Sequence, residues 1–441
     1  MQVSRAAASF LIGGLVALSV MVLVALSSSS SIGIGLALVV AVFALALAIF
    51  GTEKTGLGIL GLAFLTAPMY KGLGGGTVTI TDACLVFGFL LLIPRVAAHR
   101  SRVPLSFSVG ASLVVISGLF AVAASGTAAK DLFTLILWCA TLIILPLGMT
   151  RLAPSTNTIE RLAWAYIVGQ FISFLGGVAK VGLSGRSEGL TTHPNYFGEA
   201  GLVAFALCLH LYARGRHRWL VIPASAMALS TVYLSGSRAA LAATAGIIVL
   251  IPLIERSALV GYVVSSACVG VGITAVLLAP SAGQNSALGR LLGKGTAAGS
   301  DSQRTQGLTD GLNSFGHHPV LGQGFQNLFN VHNNYLEAAI AVGVIGFLGY
   351  IAILITLTKP LFGHDPMRRL GYVMVATIAF GATIPSLYDR TAWVPASLCA
   401  VLALGARRGV SDPDEPEGGS AVPVLEPAVG PRSAPTFAIL P

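Results

Sequence analysis

The residues best suited to chemistry in this chain stand where polar sequence meets a long apolar run, between Asn313 and Tyr350. His332, Asn333 and Asn334 occupy that junction, directly ahead of an apolar segment of membrane length. Hydrogen-bonding side chains are costly at such a boundary, so they indicate a ligand-binding site. His332 is the predicted general base, because the positive end of a helix dipole favours a neutral imidazole that can accept a hydroxyl proton.

Cationic and imidazole side chains recur in other segments that we predict on the same side of a membrane. Arg186 and His193 lie in one predicted loop, and Arg238 lies in a short turn. Arg304 belongs to the long polar segment that precedes His332. Guanidinium groups bind phosphate oxygens bidentately and stay charged at neutral pH, so several of them can stabilise a pyrophosphate leaving group without a metal ion. The pattern predicts a site for a lipid-linked pyrophosphate.

Some of these residues also have a purely structural interpretation. His193 is typical of a helix cap, Arg238 fits an interfacial anchor, and Arg304, close after Asp301, fits a solvated loop charge. His332 and Arg304 are the predicted catalytic residues. The residues predicted to bind substrate are Arg186, Arg238, His193, Asn195, His318, Asn333, Asn334 and Tyr335.

The sequence predicts neither a metal site nor a cofactor. The Asp-x-Asp triplet formed by Asp412 and Asp414 falls in the C-terminal tail, where it cannot hold Mg²⁺ at the predicted site. The five cysteines lie in apolar runs and form no CxxC or His-paired spacing. We therefore expect neither zinc binding nor disulfides.

Composition restricts the class of protein. The chain is 55% hydrophobic and 10% charged, with a mean hydropathy of +0.83, whereas soluble proteins carry about 25% charged residues. A polytopic, all-helical integral membrane protein is expected. The net charge of +9 does not indicate nucleic-acid binding, because basic residues of membrane proteins collect in cytoplasmic loops.

Apolar runs predict a bundle of about 12–14 transmembrane helices, since a hydrocarbon core of ~30 Å needs about 20 apolar residues. With both termini in the cytoplasm, most of the 26 basic residues fall on the cytoplasmic side. Residues 1–406 form the predicted membrane domain, with one long extracytoplasmic loop at 280–331, and 407–441 form a disordered cytoplasmic tail. The predicted spans are 9–26, 32–50, 56–70, 82–94, 104–124, 131–149, 162–182, 195–213, 219–235, 238–254, 257–279, 332–358, 369–387 and 392–406.

Three segments resemble the O-antigen ligase and polymerase superfamily of bacterial membrane glycosyltransferases. The strongest likeness is HHPVLGQGFQNL followed by VHNNYLEAAIAVGVIG, which is similar to the family's loop and its His-Asn helix start. Upstream, GRSEGLTTHPNYFGEAG resembles the family's Arg and HPN loop, and YLSGSRAALAATAGIIVLI resembles its Ser-Arg turn. The resemblance covers roughly residues 180–358. The sequence departs from the family pattern after Arg304, where TQGLTDGL lacks the tryptophan often found there.

The resemblance implies a GT-C-like fold in the bacterial cytoplasmic membrane and a polyprenyl-pyrophosphate-linked glycan as donor. It implies inverting, metal-independent transfer, at the extracytoplasmic face, to an acceptor hydroxyl of a glycan, glycolipid or other envelope molecule. Arg186 and Arg238 would hold the pyrophosphate, Arg304 would assist, and His332 would activate the acceptor. A ligase and a polymerase share this donor chemistry, and both interpretations stay open. A membrane transporter is the alternative from another class, disfavoured because the predicted spans carry almost no charge at their centres.

Overall fold

The computed structural model describes residues 31–69, 78–99, 101, 103–182, 186–278, 289–290, 293, 297–326, 328, 331–384 and 387–405. Within these residues the chain is helical and forms no extended strand, so the predicted fold class is confirmed. The predicted first span at 9–26 and the predicted tail at 407–441 lie outside the described residues.

The described helices are numbered in chain order. A π-helical segment, Ala140–Ile144, interrupts α4, and short 3₁₀ helices at Lys359–Phe362 and Arg368–Leu370 follow α11. The helices are α1 Ser31–Thr66, α2 Ile80–Ala98, α3 Leu105–Ala124, α4 Ala128–Leu152, α5 Thr156–Val181, α6 Pro194–Arg214, α7 Arg218–Leu234, α8 Arg238–Glu255, α9 Ala258–Leu278, α10 Ala297–His317, α11 Asn334–Thr358, α12 Gly371–Gly381 and α13 Arg390–Ala403.

Eight segments among the described residues are long and apolar enough to cross a membrane. Large aliphatic side chains such as Leu105, Ile144 and Ile355 are exposed on the bundle, which suits a surface that faces lipid. The eight segments are Ala44–Thr66, Ile80–Ala98, Leu105–Ala124, Ala128–Leu152, Thr156–Lys180, Pro194–Arg214, Arg238–Glu255 and Asn334–Phe362.

Helix α6 lies at the centre of the bundle, and most of its side chains are buried. It packs closely against α7, because a Cβ atom at Gly201 would stand 2.8 Å from the carbonyl oxygen of Ala228.

Helix α11 is broken at Gly343, whose φ of 66° lies in the left-handed region. The segment 319–324 fills the break: Gln323 N donates to Ile340 O at 2.9 Å, and Val344 N donates to Pro319 O at 2.8 Å. Any side chain at Gly343 would collide with this segment. The backbone groups freed by the break are therefore paired within the protein, as a lipid environment requires.

The structure departs from the sequence-based expectation in two places. The predicted polar loop at 280–331 contains α10, a helix of 21 residues that the sequence did not indicate because glycines and serines disfavour helices. The predicted spans at 369–387 and 392–406 are shorter helices, α12 and α13, joined through residues 382–389.

Candidate active site

The predicted site residues gather at one end of the bundle, which we call the site end. It comprises residues 186–193 between α5 and α6, the turn at 235–238 between α7 and α8, the first turns of α10, and residues 331–333 ahead of α11. Successive helices cross the bundle in alternate directions, so these segments of the chain meet although they are distant in sequence.

The turn Ser235–Arg238 holds two arginines through its backbone. Arg186 Nε donates to Ser235 O at 3.3 Å, and Arg290 Nη1 donates to Gly236 O at 2.7 Å. These carbonyl groups belong to the C-terminal end of α7, where the helix dipole favours a cation. Each guanidinium is thereby fixed by a backbone carbonyl group and keeps further donors for a ligand.

Asn195 and His193 connect Arg186 to the beginning of α6. Arg186 Nη2 donates to Asn195 Oδ1 over a long 3.5 Å, and Asn195 N donates to His193 Nδ1 at 3.1 Å. The helix cap expected for His193 is confirmed. Because Nδ1 accepts a hydrogen bond, the proton of the neutral ring resides on Nε2.

Arg238 and Arg304 complete the group of cations. Both nitrogens of the Arg238 fork donate to Asp301, Nη1 to Oδ2 at 3.0 Å and Nη2 to Oδ1. Arg304 is half-buried one turn later on α10, and within the described part of the chain its guanidinium has neither a hydrogen bond nor an ion pair. The alternative interpretation of Arg304 as a solvated loop charge is therefore wrong, because Arg304 is a half-buried helical residue near the other arginines.

The arginines act on one another electrostatically. Burial, and then the charges of Arg290 and Arg304, lower the pKa of Arg186 to about 10. Burial and Arg238 lower the pKa of Arg304 as well, and Asp301 opposes that shift. All of these guanidinium groups remain charged at neutral pH, so the site end carries a strong positive field.

His332 has the backbone and the electrostatics of a neutral base. Its φ of 53° is left-handed, and the next residue, Asn333, caps α11 by accepting from Tyr335 N at 3.0 Å and Leu336 N at 3.1 Å. Burial, and then the charge of Arg304, lower the pKa of His332. The pKa of His193 is lowered too, by burial first and then by Arg186, His332 and Arg304.

The loop ahead of His332 is anchored to α4. Phe325 N and Gln326 Nε2 both donate to the buried carboxylate of Asp131 at 3.0 Å, and the Phe325 ring packs edge-on against Trp138. Gly324, with φ of 91°, allows this approach, because a Cβ atom there would stand 2.7 Å from Asp131 Oδ2. The sequence GQGFQ thus ties this part of the loop to α4.

Other predicted substrate-binding residues have structural contacts or lie apart. Tyr335 donates its hydroxyl proton to Ile378 O at 2.7 Å, which ties α11 to α12. Asn334 is buried in the first turn of α11. His318 is exposed beyond the end of α10, about 20 Å along the helix axis from Arg304 at ~1.5 Å per residue.

Two residues of the site were not selected from the sequence. Arg290 is only 4% exposed and has its Nε buried without a hydrogen-bond partner among the described residues. Asp301 was regarded only as a neighbour of Arg304. Both residues lie in a polar segment without apolar periodicity, so no sequence pattern singled them out. The positive charge of Arg290 is the one property that matches the other cations of the site. Among the described residues no group of His, Cys, Asp or Glu is arranged to hold a metal ion.

Residues 223–351 match the family model described as O-antigen ligase. This segment is therefore similar to O-antigen ligases. The match runs from α7 into α11 and includes Arg238, Arg304 and His332, while Arg186 and His193 precede it. The resemblance to the O-antigen ligase and polymerase superfamily is therefore confirmed. No curated protein matches the chain.

Proposed function

We propose that this protein is a membrane glycosyltransferase of the O-antigen ligase type. It transfers a glycan from a polyprenyl-pyrophosphate carrier to an acceptor hydroxyl at the extracytoplasmic face of the bacterial cytoplasmic membrane. The observation that carries the proposal is an excess of cations: in the described part of the chain, Asp301 is the one carboxylate paired with any of the four arginines of the site. The four are Arg186, Arg238, Arg290 and Arg304.

The arginines suit a pyrophosphate better than a neutral ligand. Four guanidinium groups with one carboxylate among them are destabilising unless a further anion joins them. Their forks match phosphate oxygens, and they are fixed before the ligand arrives, so they stabilise negative charge as it grows on the leaving pyrophosphate. Their position at the ends of membrane-length helices leaves the polyprenyl chain in the lipid.

His332 is the proposed base of the transfer. Its neutral imidazole accepts the acceptor's hydroxyl proton as that oxygen forms a bond to the anomeric carbon from the face opposite the pyrophosphate. The bond between that carbon and the pyrophosphate oxygen breaks, and its electron pair leaves with the polyprenyl pyrophosphate. The products are an inverted glycoside and an imidazolium ion at His332. Arg304, whose charge already disfavours a proton on His332, makes release of that proton easier.

The distribution of basic residues supports an extracytoplasmic site. Arg214, Arg216, Arg368 and Arg369 lie at the opposite end of the bundle, together with most of the basic residues of the short connections. Short basic connections stay on the cytoplasmic side of bacterial membranes. The site end then faces away from the cytoplasm.

Binding measurements test the donor assignment. The purified protein in nanodiscs should bind a polyprenyl pyrophosphate more tightly than the matching polyprenol, and Arg186→Ala should remove roughly tenfold or more of that preference, as the loss of a charge-assisted hydrogen bond does. Arg216→Ala, at the opposite end, is the matched control. Equal affinity for pyrophosphate and polyprenol in the wild type would refute the proposal.

Deletion of the gene separates the ligase from the polymerase, the alternative with the same donor chemistry. Mass spectrometry of the lipid-linked glycans that accumulate is the measurement. Finished long chains left on the carrier indicate a ligase, which passes a complete glycan to another molecule. Single repeat units on the carrier indicate a polymerase.

A further inference from the structure

Asp301 occupies the fork of Arg238 in the way that a phosphate group would. Its two carboxylate oxygens accept from the two terminal nitrogens of the guanidinium, one of them at 3.0 Å. Carboxylate and phosphate present similarly spaced oxygens, so arginine binds both bidentately. A pyrophosphate cannot take the same two donors while Asp301 holds them.

The carboxylate is charged and accessible. The side chain of Asp301 is 54% exposed, whereas that of Arg238 is 20% exposed. The hydrogen bond to Arg238, followed by the charges of the neighbouring arginines, holds the pKa of Asp301 below its ordinary value. Asp301 is therefore an anion at neutral pH whose solvent-facing side leaves it free to move away.

Helix geometry couples Asp301 to Arg304. The two residues are three positions apart on α10 and so lie on the same face of the helix. The face of α10 that places the guanidinium of Arg304 in the site therefore also places the carboxylate of Asp301 there. α10 packs against the start of α11 at Gly311, where a Cβ atom would stand 3.0 Å from Val331 and Leu336.

We propose that Asp301 is an internal competitor for the donor's pyrophosphate. The carboxylate pairs with Arg238 while the site is empty, leaves it when the pyrophosphate binds, and returns as the polyprenyl pyrophosphate departs. The inference rests on the proposed function, since it takes a pyrophosphate as the ligand.

Such a competitor lowers affinity for donor and product alike. A ligand that binds only when a site is open has its affinity reduced by the open fraction. Both the donor and the released carrier present a pyrophosphate to Arg238, so the competitor weakens both. The benefit of the competitor is faster release of the product. The carboxylate of Asp301 replaces the phosphate on Arg238, so the guanidinium is not left without an anionic partner.

Inorganic pyrophosphate is the probe for this idea, titrated against the full-length protein in nanodiscs. Asp301→Asn should bind it roughly fivefold more tightly, which corresponds to about 1 kcal/mol. Asp310→Asn is the matched control: Asp310 is exposed on the same helix, and its replacement removes the same charge. It should leave the affinity unchanged. Asp301→Ser provides a second neutral replacement, which should tighten binding as well.

The effect must also act through Arg238. In an Arg238→Gln background, Asp301→Asn should no longer tighten binding, because the contested guanidinium is gone. In turnover assays with the lipid-linked donor, Asp301→Asn should lower KM and kcat together, since donor and product are both held longer. A carboxylate that only fastened α10 to α8 would give the opposite result, weaker binding on replacement.

The outcomes are distinguishable. Unchanged or weaker binding by both neutral variants, or equal tightening by Asp310→Asn, overturns the competitor. If wild-type protein binds pyrophosphate no better than sulfate and Arg238→Gln changes nothing, the proposed function itself fails, and the competitor fails with it. Tightening that is confined to position 301 and lost without Arg238 supports both.

Discussion

Two groups of arginines, one at each end of the bundle, differ in what neutralises them. At the end opposite the site, two acidic residues each hold a pair of arginines: Glu160 lies 3.0 Å from Arg214 and 3.6 Å from Arg216, and Glu255 lies 2.9 Å from Arg368 and also contacts Arg369. Of the four arginines that form the site, three have no carboxylate partner among the described residues.

The difference separates structural charges from functional ones. A cation paired with a glutamate joins two helices and needs nothing further, whereas an uncompensated group of cations raises the free energy of the empty protein. Proteins keep such unfavourable groups where a ligand completes them. Changes at the two ends should therefore act on different properties, stability at one end and turnover at the other.

The largest difference in transfer should separate the replacements of two histidines that both have a positive φ. His332, with φ of 53°, is at the site end and precedes Asn333, the cap of α11. His217, with φ of 52°, is at the opposite end and directly precedes α7. His332→Ala should lower transfer by roughly 10²–10⁴-fold, the contribution of a general base. His217→Ala places an alanine at nearly the same positive φ and should leave transfer unchanged.

Transfer of a glycan from its lipid carrier, measured per folded protein, is the readout, with thermal unfolding measured alongside. Wild-type turnover by His332→Ala would remove this residue from the mechanism. An equal loss with His217→Ala would indicate that the backbone, and not the imidazole, is responsible.

A smaller effect should appear when one charge is removed at each end. Arg304→Gln should lower kcat/KM roughly tenfold or more and leave thermal stability unchanged or improved, because an unpaired cation is lost. Glu255→Gln should destabilise the protein by about 1–3 kcal/mol, since two arginines lose their charged partner, and transfer per folded protein should persist. If Arg304→Gln proved the less stable of the two, the functional interpretation of the site end would be wrong.

The smallest effect concerns the pH at which activity falls. The base must be neutral, so transfer is lost as pH drops through the pKa of His332, which lies below the ordinary histidine value. Burial is the first cause and the charge of Arg304 the second. Arg304→Gln removes that charge, raises the pKa, and should shift the acid limb of kcat/KM to higher pH. Arg216→Gln should not shift it.

Much of the helical framework follows from apolar run length. The span predicted at 195–213 is α6, Pro194–Arg214, and that at 238–254 is α8, Arg238–Glu255. Hydropathy is sufficient there because a bilayer needs about 20 apolar residues. Helix α10 escaped prediction because its glycines and serines lower intrinsic helix propensity, and its position depends on contacts with α11 at Val331 and Leu336.

The residues of the site could be predicted from their types, but the partners of their charged groups could not. Arg186, Arg238, Arg304 and His332 were selected because guanidinium and imidazole groups recur on one predicted side of the membrane, and the structure brings them together. The partner of Asp301 was not predictable, because Arg238 is 63 positions away in sequence. Which carboxylate neutralises which cation is decided by tertiary packing.

The break at Gly343 divides α11 into two rods with separate supports. The nine residues before it, which carry His332 at their tip, are braced by the 319–324 segment, while the remainder is held by α3 and the rest of the bundle. The direction of the short rod is therefore set by the 319–324 segment, separately from the support of the longer rod. Changes in the 319–324 segment would thus shift the imidazole of His332 while the lipid-embedded scaffold stays the same.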